Sequence, residues 1–320
     1  MGLGSLRAMK QELIMMGPLP ESQMQQLEAR YDLHCLWRSK DPEKTIKDVA
    51  GSVTGLISVY DRNVSAKLIK ALPNLEIIAH YGVGYDNVDV AAARKQDVIV
   101  TNTPDVLTED VADMGIGLVL AVMRRLVEGD IYVRTGQWAK KGDLPLGRSL
   151  QGKTMGVVGL GRIGQAIARR AEVFGLKVVY FSPAPKKKIK YPHYSDLKNM
   201  AEVSDILMVS CPYKKETHHL IDASVLKALG KQGILVNIAR GKIVKEQDLI
   251  DCLEAGMIAG AGLDVFEDEP NVPSALCRLD NVVLQPHQAS ATHETRAAMA
   301  QLVVDNVNSY FENAEVLTPV

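Results

Sequence analysis

Short apolar runs alternate with helix-period segments along nearly the whole chain, and this alternation constrains the fold more than any other feature. Apolar runs at 12–16, 33–37, 56–59, 75–79 and 98–101 are separated by helical stretches such as 21–30, 65–72 and 89–95. A second series has runs at 154–158, 177–181, 206–209, 234–238, 260–265 and 282–284, with helical stretches at 164–174, 224–228, 245–255 and 294–310. Runs that stay apolar, rather than alternating, belong to parallel strands covered on both faces. Two such series in 320 residues predict two α/β domains. Asn102-Thr103-Pro104 and the long helical pattern 109–125 mark the crossing between them, and the last helix returns to the first domain. The expected division is 1–101 plus 288–320 against 102–287.

Composition excludes several classes. Hydrophobic residues make up 47% and charged residues 23%, an ordinary globular balance. The net charge is -1, and the one basic block, Lys186-Lys187-Lys188, is short, so neither a nucleic-acid nor a membrane partner is expected. Cys35, Cys211, Cys252 and Cys277 are too scattered for a metal site or a disulfide framework, which points to a reducing compartment. Met1 to Ala8 read as an extension ahead of a natural start at Met9. With no signal-like leader and no organelle address in the last four residues, the chain reads as cytoplasmic.

The glycine loop Gly159-Leu160-Gly161-Arg162-Ile163-Gly164 follows the apolar run 154–158 and opens a helical stretch. In that context it is a dinucleotide fingerprint. Gly159 permits a tight turn, Gly161 a close approach to pyrophosphate, and Gly164 close helix–strand packing. The helix N-terminus offers free N–H groups to the phosphates. The architecture is therefore Rossmann-like or flavodoxin-like in both domains, with a site in the cleft between them and the dinucleotide on 102–287. A carboxylate for the ribose 2′-hydroxyl is expected about 20 residues beyond the loop. Here Ser182-Pro183-Ala184-Pro185 and three lysines stand instead, with no acid before Asp196. A hydroxyl and ammonium groups suit a 2′-phosphate, so Ser182 and Lys186 favour NADPH (NADP+), with NADH left open.

Three later stretches carry reactive side chains: Asn237-Ile238-Ala239-Arg240-Gly241, Gly262 through Pro270, and Gln285-Pro286-His287-Gln288-Ala289-Ser290. Singly, Arg240 reads as a surface ion pair, Glu269 as part of a solvated acidic turn and His287 as a satisfied buried histidine. Ligands of open α/β sheets bind beyond the carboxyl ends of the strands, so the three can also converge on one site.

Together with His80-Tyr81-Gly82-Val83-Gly84-Tyr85-Asp86-Asn87 and Asn102-Thr103-Pro104, these motifs make the chain resemble the D-2-hydroxyacid dehydrogenases over nearly its whole length. Within that family it is most similar to the NADPH-dependent glyoxylate/hydroxypyruvate reductases. The resemblance implies a catalytic Arg240, Glu269 and His287, with Glu269 chosen over Glu267 because the family's acid directly precedes the proline, here Pro270. It implies an enzyme that reduces a 2-oxo acid to a D-2-hydroxy acid, with His287 as proton donor. Glu269 would orient the ring, and Arg240 would hold the substrate carboxylate and polarise its carbonyl. Tyr81, Gly82, Val83 and Gly84 would line the substrate site, the turn offering N–H groups to the same carboxylate.

The resemblance extends further. Asp264 matches the acid near the nicotinamide amide, and Cys211-Pro212 the segment beside the adenine; Thr108, Thr217, Ile238, Ala239 and Ala289 complete the expected cofactor contacts. Trp138 resembles a residue that reaches the partner's substrate pocket in a homodimer, with core packing as its plain alternative. The sequence also departs from the family pattern. Pro183 replaces an arginine common at that place, and Gln288-Ala289 replaces a frequent Ile-Gly pair. No added regulatory domain follows, unlike the longer phosphoglycerate dehydrogenases. Two alternatives stay open: a hydroxyphenylpyruvate or 2-ketoaldonate reductase, with Ser58 to Asp61, the Tyr81 loop and Trp138 deciding the substrate, and a nucleotide-sensing corepressor on the same fold.

Overall fold

The computed structural model describes residues 10–320, so the expected extension at Met1 to Ala8 lies outside the described residues. The chain divides into two compact units, one running to Leu107 and resuming at Ala291–Val320, the other Thr108–Ser290. The breaks thus fall a few residues beyond the expected 101/102 and 287/288.

The first unit runs β1 (Glu12–Met15), α1 (Glu21–Arg30), β2 (Asp32–Cys35), α2 (Pro42–Val49), β3 (Val53–Val59), α3 (Ala66–Lys70), β4 (Ile77–Tyr81), α4 (Val90–Lys95) and β5 (Ile99–Thr101). Its five strands are parallel in the order β2-β1-β3-β4-β5, the flavodoxin-like winding. Every residue of β4 is buried, as a central parallel strand requires. The expected strand at 75–79 is displaced because Leu75 is buried ahead of the strand. The expected 33–37 strand also stops early, turning into a 3-10 helix at Leu36–Arg38.

In the second unit α5 (Thr108–Met123), α6 (Leu126–Arg134) and α7 (Gln137–Lys141) precede the sheet. The long helix expected to reach residue 125 breaks there, because Arg125 adopts a left-handed φ of 55°. Then follow β6 (Thr154–Val158), α8 (Arg162–Val173), β7 (Lys177–Phe181), β8 (His193–Tyr194), α9 (Leu197–Glu202), β9 (Ile206–Val209), α10 (Ala223–Leu229), β10 (Ile234–Asn237), α11 (Glu246–Glu254), β11 (Gly260–Leu263), α12 (Ser274–Cys277) and β12 (Val282–Leu284). The seven strands lie in the order β12-β11-β10-β9-β6-β7-β8, all parallel. Strands β6, β7 and β9 to β11 are buried apart from the first residue of β6 and the two ends of β7, and the sheet forms an apolar cluster with α9, α10, α11 and α12.

Helix α13 (His293–Asn313) belongs to the first unit, where it packs on β4. Thr292 caps it through the Thr295 N–H. The chain then ends beside β5, with Thr101 bridged to Pro319. No described helix is long and apolar enough to cross a membrane.

Candidate active site

The glycine loop lies between β6 and α8, as the strand–turn–helix pattern predicts. Gly159 takes a φ of 91°, and a Cβ there would lie 2.5 Å from Cys211 Cβ. A Cβ on Gly164 would collide with the Gly159 carbonyl, whereas one on Gly161 would meet nothing within 4 Å. Two glycines are thus fixed by packing, and the third is left facing open space at the N-terminus of α8. An open, uncapped helix start above two closed contacts fits the pyrophosphate of a dinucleotide.

The other cofactor candidates all lie in this second unit. Leu160 is fully buried under the loop, Ile163 is half-buried, and Arg162 is exposed at the first turn of α8. Ser182 follows β7, but its hydroxyl donates to the Ala184 carbonyl at 2.7 Å, turned into its own loop. Lys186, Lys187 and Lys188 are exposed just beyond. The Lys186 N–H donates to the Tyr180 hydroxyl, tying the loop back to β7. Cys211 is buried beside Gly159, and burial pushes its thiol up to about 12, which leaves it an inert packing group. Thr217 Oγ1 accepts the Lys214 N–H and donates to the Pro212 carbonyl, closing the 212–217 loop. Thr108 opens α5, and Ile238 is buried just past β10.

Arg240, Glu269 and His287 come from loops after β10, β11 and β12. His287 Nδ1 and Glu269 Oε2 lie 2.7 Å apart. The other Glu269 oxygen accepts the Phe266 N–H at 2.9 Å. Burial raises the Glu269 carboxyl, but the His287 hydrogen bond and charge, the Phe266 N–H and the Arg240 charge outweigh it and hold it below the usual carboxylate range. An ionised carboxylate only accepts, so Nδ1 carries a hydrogen.

His287 sits at a φ of 54°, a strained position for a side chain with a Cβ. Asp264 holds it there. Its carbonyl accepts the His287 N–H at 2.8 Å. Its carboxylate oxygens accept the N–H groups of Gln288 at 2.7 Å and Ala289 at 3.0 Å. Burial pushes the Asp264 carboxyl up despite these two donors. In the structure Asp264 therefore clasps the backbone that carries His287.

Sequence reasoning missed the groups that set Arg240. Asn237, 1% exposed, donates from Nδ2 to the Arg240 carbonyl at 2.9 Å and accepts the Ala239 N–H at 3.1 Å. An asparagine accepting from the residue two places on is a turn signal that was available in the sequence. Gly241 was also passed over. A Cβ there would overlap the Phe266 carbonyl carbon, so only glycine lets this loop press against the one bearing Glu269. Glu267, the rejected acid, has its own histidine: His219 Nε2 lies 2.6 Å from its Oε1.

In the first unit, Tyr81 ends β4 and its hydroxyl donates to the Arg296 carbonyl. Gly82, Val83 and Gly84 form the turn that follows. Ser58, expected among the residues that choose the substrate, is fully buried with its hydroxyl 2.8 Å from His80 Nδ1, so it is no pocket wall. Trp138 is 59% exposed on α7, which overturns the core-packing alternative.

Residues 116–289 match the family described as D-isomer specific 2-hydroxyacid dehydrogenase, NAD binding domain. A glyoxylate/hydroxypyruvate reductase of Arabidopsis thaliana is 46% identical over 96% of this chain and 98% of its own. A hydroxyphenylpyruvate reductase of Plectranthus scutellarioides is equally similar, at 46% over 96% and 98%. Among solved structures, an NADPH-dependent glyoxylate/hydroxypyruvate reductase from Sinorhizobium meliloti, in complex with NADP and malonate, superposes with a TM-score of 0.90 at 42% identity, covering 97% of each chain. With the glycine loop and the Glu269–His287 pair on one unit, and similarity along almost the full length, the chain belongs to the D-isomer specific 2-hydroxyacid dehydrogenase family.

Proposed function

We propose that this protein reduces glyoxylate or hydroxypyruvate to glycolate or D-glycerate with NADPH. The observation that carries the reading is the 2.7 Å contact between His287 and an ionised Glu269, within the unit that bears the dinucleotide loop. What a reduced nicotinamide supplies when bound is a hydride for the carbonyl carbon. The oxygen then needs a proton. His287, its Nδ1 held by Glu269, gives it from Nε2. Arg240 holds the substrate carboxylate through its forked donors and draws charge toward the carbonyl oxygen. The Val83 and Gly84 N–H groups of the turn beside Tyr81 are donors suited to a carboxylate.

Preference for NADPH rests on the acid-free end of β7 and on Lys186 to Lys188. With the Ser182 hydroxyl given to Ala184, the lysines carry the phosphate. A second copy of the chain covers the exposed apolar side chains around Trp138 and makes the working form a homodimer in the cytoplasm.

Initial rates with glyoxylate, hydroxypyruvate, hydroxyphenylpyruvate and 2-ketogluconate, each with both cofactors, test the reading. The expected result is turnover of the first two, with kcat/KM about tenfold or more higher for NADPH, since one charge-assisted contact is worth that much. The His287→Ala variant is expected to bind NADPH and lose turnover. Preference for NADH would refute the lysine argument. Preference for an aromatic or sugar 2-oxo acid would reassign the substrate, and retained turnover in His287→Ala would remove His287 from the proton step.

A further inference from the structure

We infer that His80, buried beneath the Gly82–Gly84 turn, is a positioning residue that holds the turn's N–H groups outward to bind the substrate carboxylate; this rests on the 2-oxo acid reading above. The turn is pinned by its carbonyls. The Gly82 carbonyl accepts the Thr103 N–H at 3.0 Å, the Val83 carbonyl accepts Asn102 Nδ2 at 2.8 Å, and the Gly84 carbonyl accepts His80 Nε2 at 3.0 Å. Three successive carbonyls are thus drawn into the first unit. In a planar trans peptide the N–H points opposite to the carbonyl of the same unit. The N–H groups of Val83, Gly84 and Tyr85 are therefore turned away from those donors, on a segment that is partly exposed. Successive outward N–H groups make an anion-binding concavity.

Two of the three pins come from the chain just after β5. His80 alone belongs to the strand that carries the turn, and its state is set by its partners. A carbonyl only accepts, so Nε2 must carry a hydrogen, and in the neutral ring Nδ1 then accepts from the Ser58 hydroxyl at 2.8 Å. Both residues are 0% exposed, so no water competes for these bonds. The ring also explains the glycine at 82. A Cβ there would lie 2.7 Å from His80 Nε2 and 3.2 Å from its Cδ2, so the imidazole fills the space that a side chain would take. The side chain that excludes a Cβ from the turn is the one that pins its last carbonyl.

His80→Phe keeps a flat ring and removes the donor; His80→Gln keeps an N–H. Oxalate, an unreactive dianion, probes the carboxylate site by calorimetry on the NADP-loaded protein. For His80→Phe the expected result is an oxalate Kd and a glyoxylate KM raised about tenfold, with kcat changed less than threefold and NADPH affinity unchanged. His80→Gln should recover part of the KM. Where His80→Phe does not fold, Ser58→Ala replaces it and should raise KM severalfold in the same direction. Oxalate binding and KM equal to wild type in a folded variant overturn the inference and leave the reductase reading intact. A loss confined to kcat or to melting temperature also overturns it, since that marks a merely structural residue. Wild-type protein that neither binds oxalate nor reduces a 2-oxo acid overturns both.

Discussion

Two carboxylates two residues apart each take a histidine, and the difference between the pairs lies in their surroundings. Glu267 pairs with His219, and its N–H donates to Glu246, a brace between loops. Glu269 faces His287, with the Arg240 charge acting on the same carboxylate. The proline that follows Glu269 was enough to pick it in the sequence by resemblance. The Asp264 clasp was not legible, because it depends on backbone N–H groups more than twenty residues away meeting a strand end. Because the folded Glu269 carboxyl is held below its ordinary value, its ionised form adds stability above the unfolded pKa, near 4.3. That stability is lost as pH falls through the depressed value. Glu269→Gln should therefore melt below wild type at neutral pH, and the gap should close under acid conditions. Without the carboxylate that holds Nδ1, the His287 ring loses its orientation, and kcat for the 2-oxo acid should fall about tenfold or more. An unchanged kcat would show that Glu269 does not hold the ring for the reaction.

Elements deliver these groups because parallel strands end together. The runs at 206–209 and 234–238 were readable because strands buried on both faces must be apolar throughout, and the observed β9 and β10 follow them closely. Edges were not. The two-residue β8 carries His193 and Tyr194, too short for any periodicity to register. Break points were also hidden: nothing in the residues around Arg125 announces a left-handed turn in mid-helix. The glycine loop was readable because strand, turn and helix are contiguous. The meeting of the β10 and β11 loops was not, since it joins segments about 25 residues apart. Gly241 is the test of that meeting. Gly241→Ala forces a methyl into the Phe266 backbone and must separate Arg240 from Glu269. A destabilisation of about 1–3 kcal/mol is expected by denaturant unfolding, with kcat/KM for the 2-oxo acid down about a hundredfold or more. Activity near wild type would mean that the two loops can part without harm to the site.

At the scale of the molecule, the second unit exposes an apolar surface that a lone chain has no reason to keep. Leu126, Val127, Ile131, Val133, Trp138 and Leu146 are between 47% and 94% exposed, all within the segment of α6, α7 and the loop after them. A cavity of about 440 Å³ lined by Val127, Ile131 and Leu146 lies in the same region. Clustered apolar exposure of this kind marks an association surface. Composition did not reveal it, because a hydrophobic share of 47% is ordinary and only the fold separates covered from uncovered side chains. A self-complementary two-fold contact is the commonest way for identical chains to cover such a face. Sedimentation at micromolar concentration should give a dimer. Ile131→Glu places a charge in that contact and should weaken dimerisation about a hundredfold or more, while the separated chain keeps its affinity for NADPH. Trp138→Ala should leave the dimer in place and change the ratio of kcat/KM for hydroxypyruvate over glyoxylate, as the proposed reach of this ring into the partner's substrate pocket requires. A monomeric wild type would refute the contact. A dimer in which Trp138→Ala alters neither substrate would confine this surface to assembly and take Trp138 out of substrate choice.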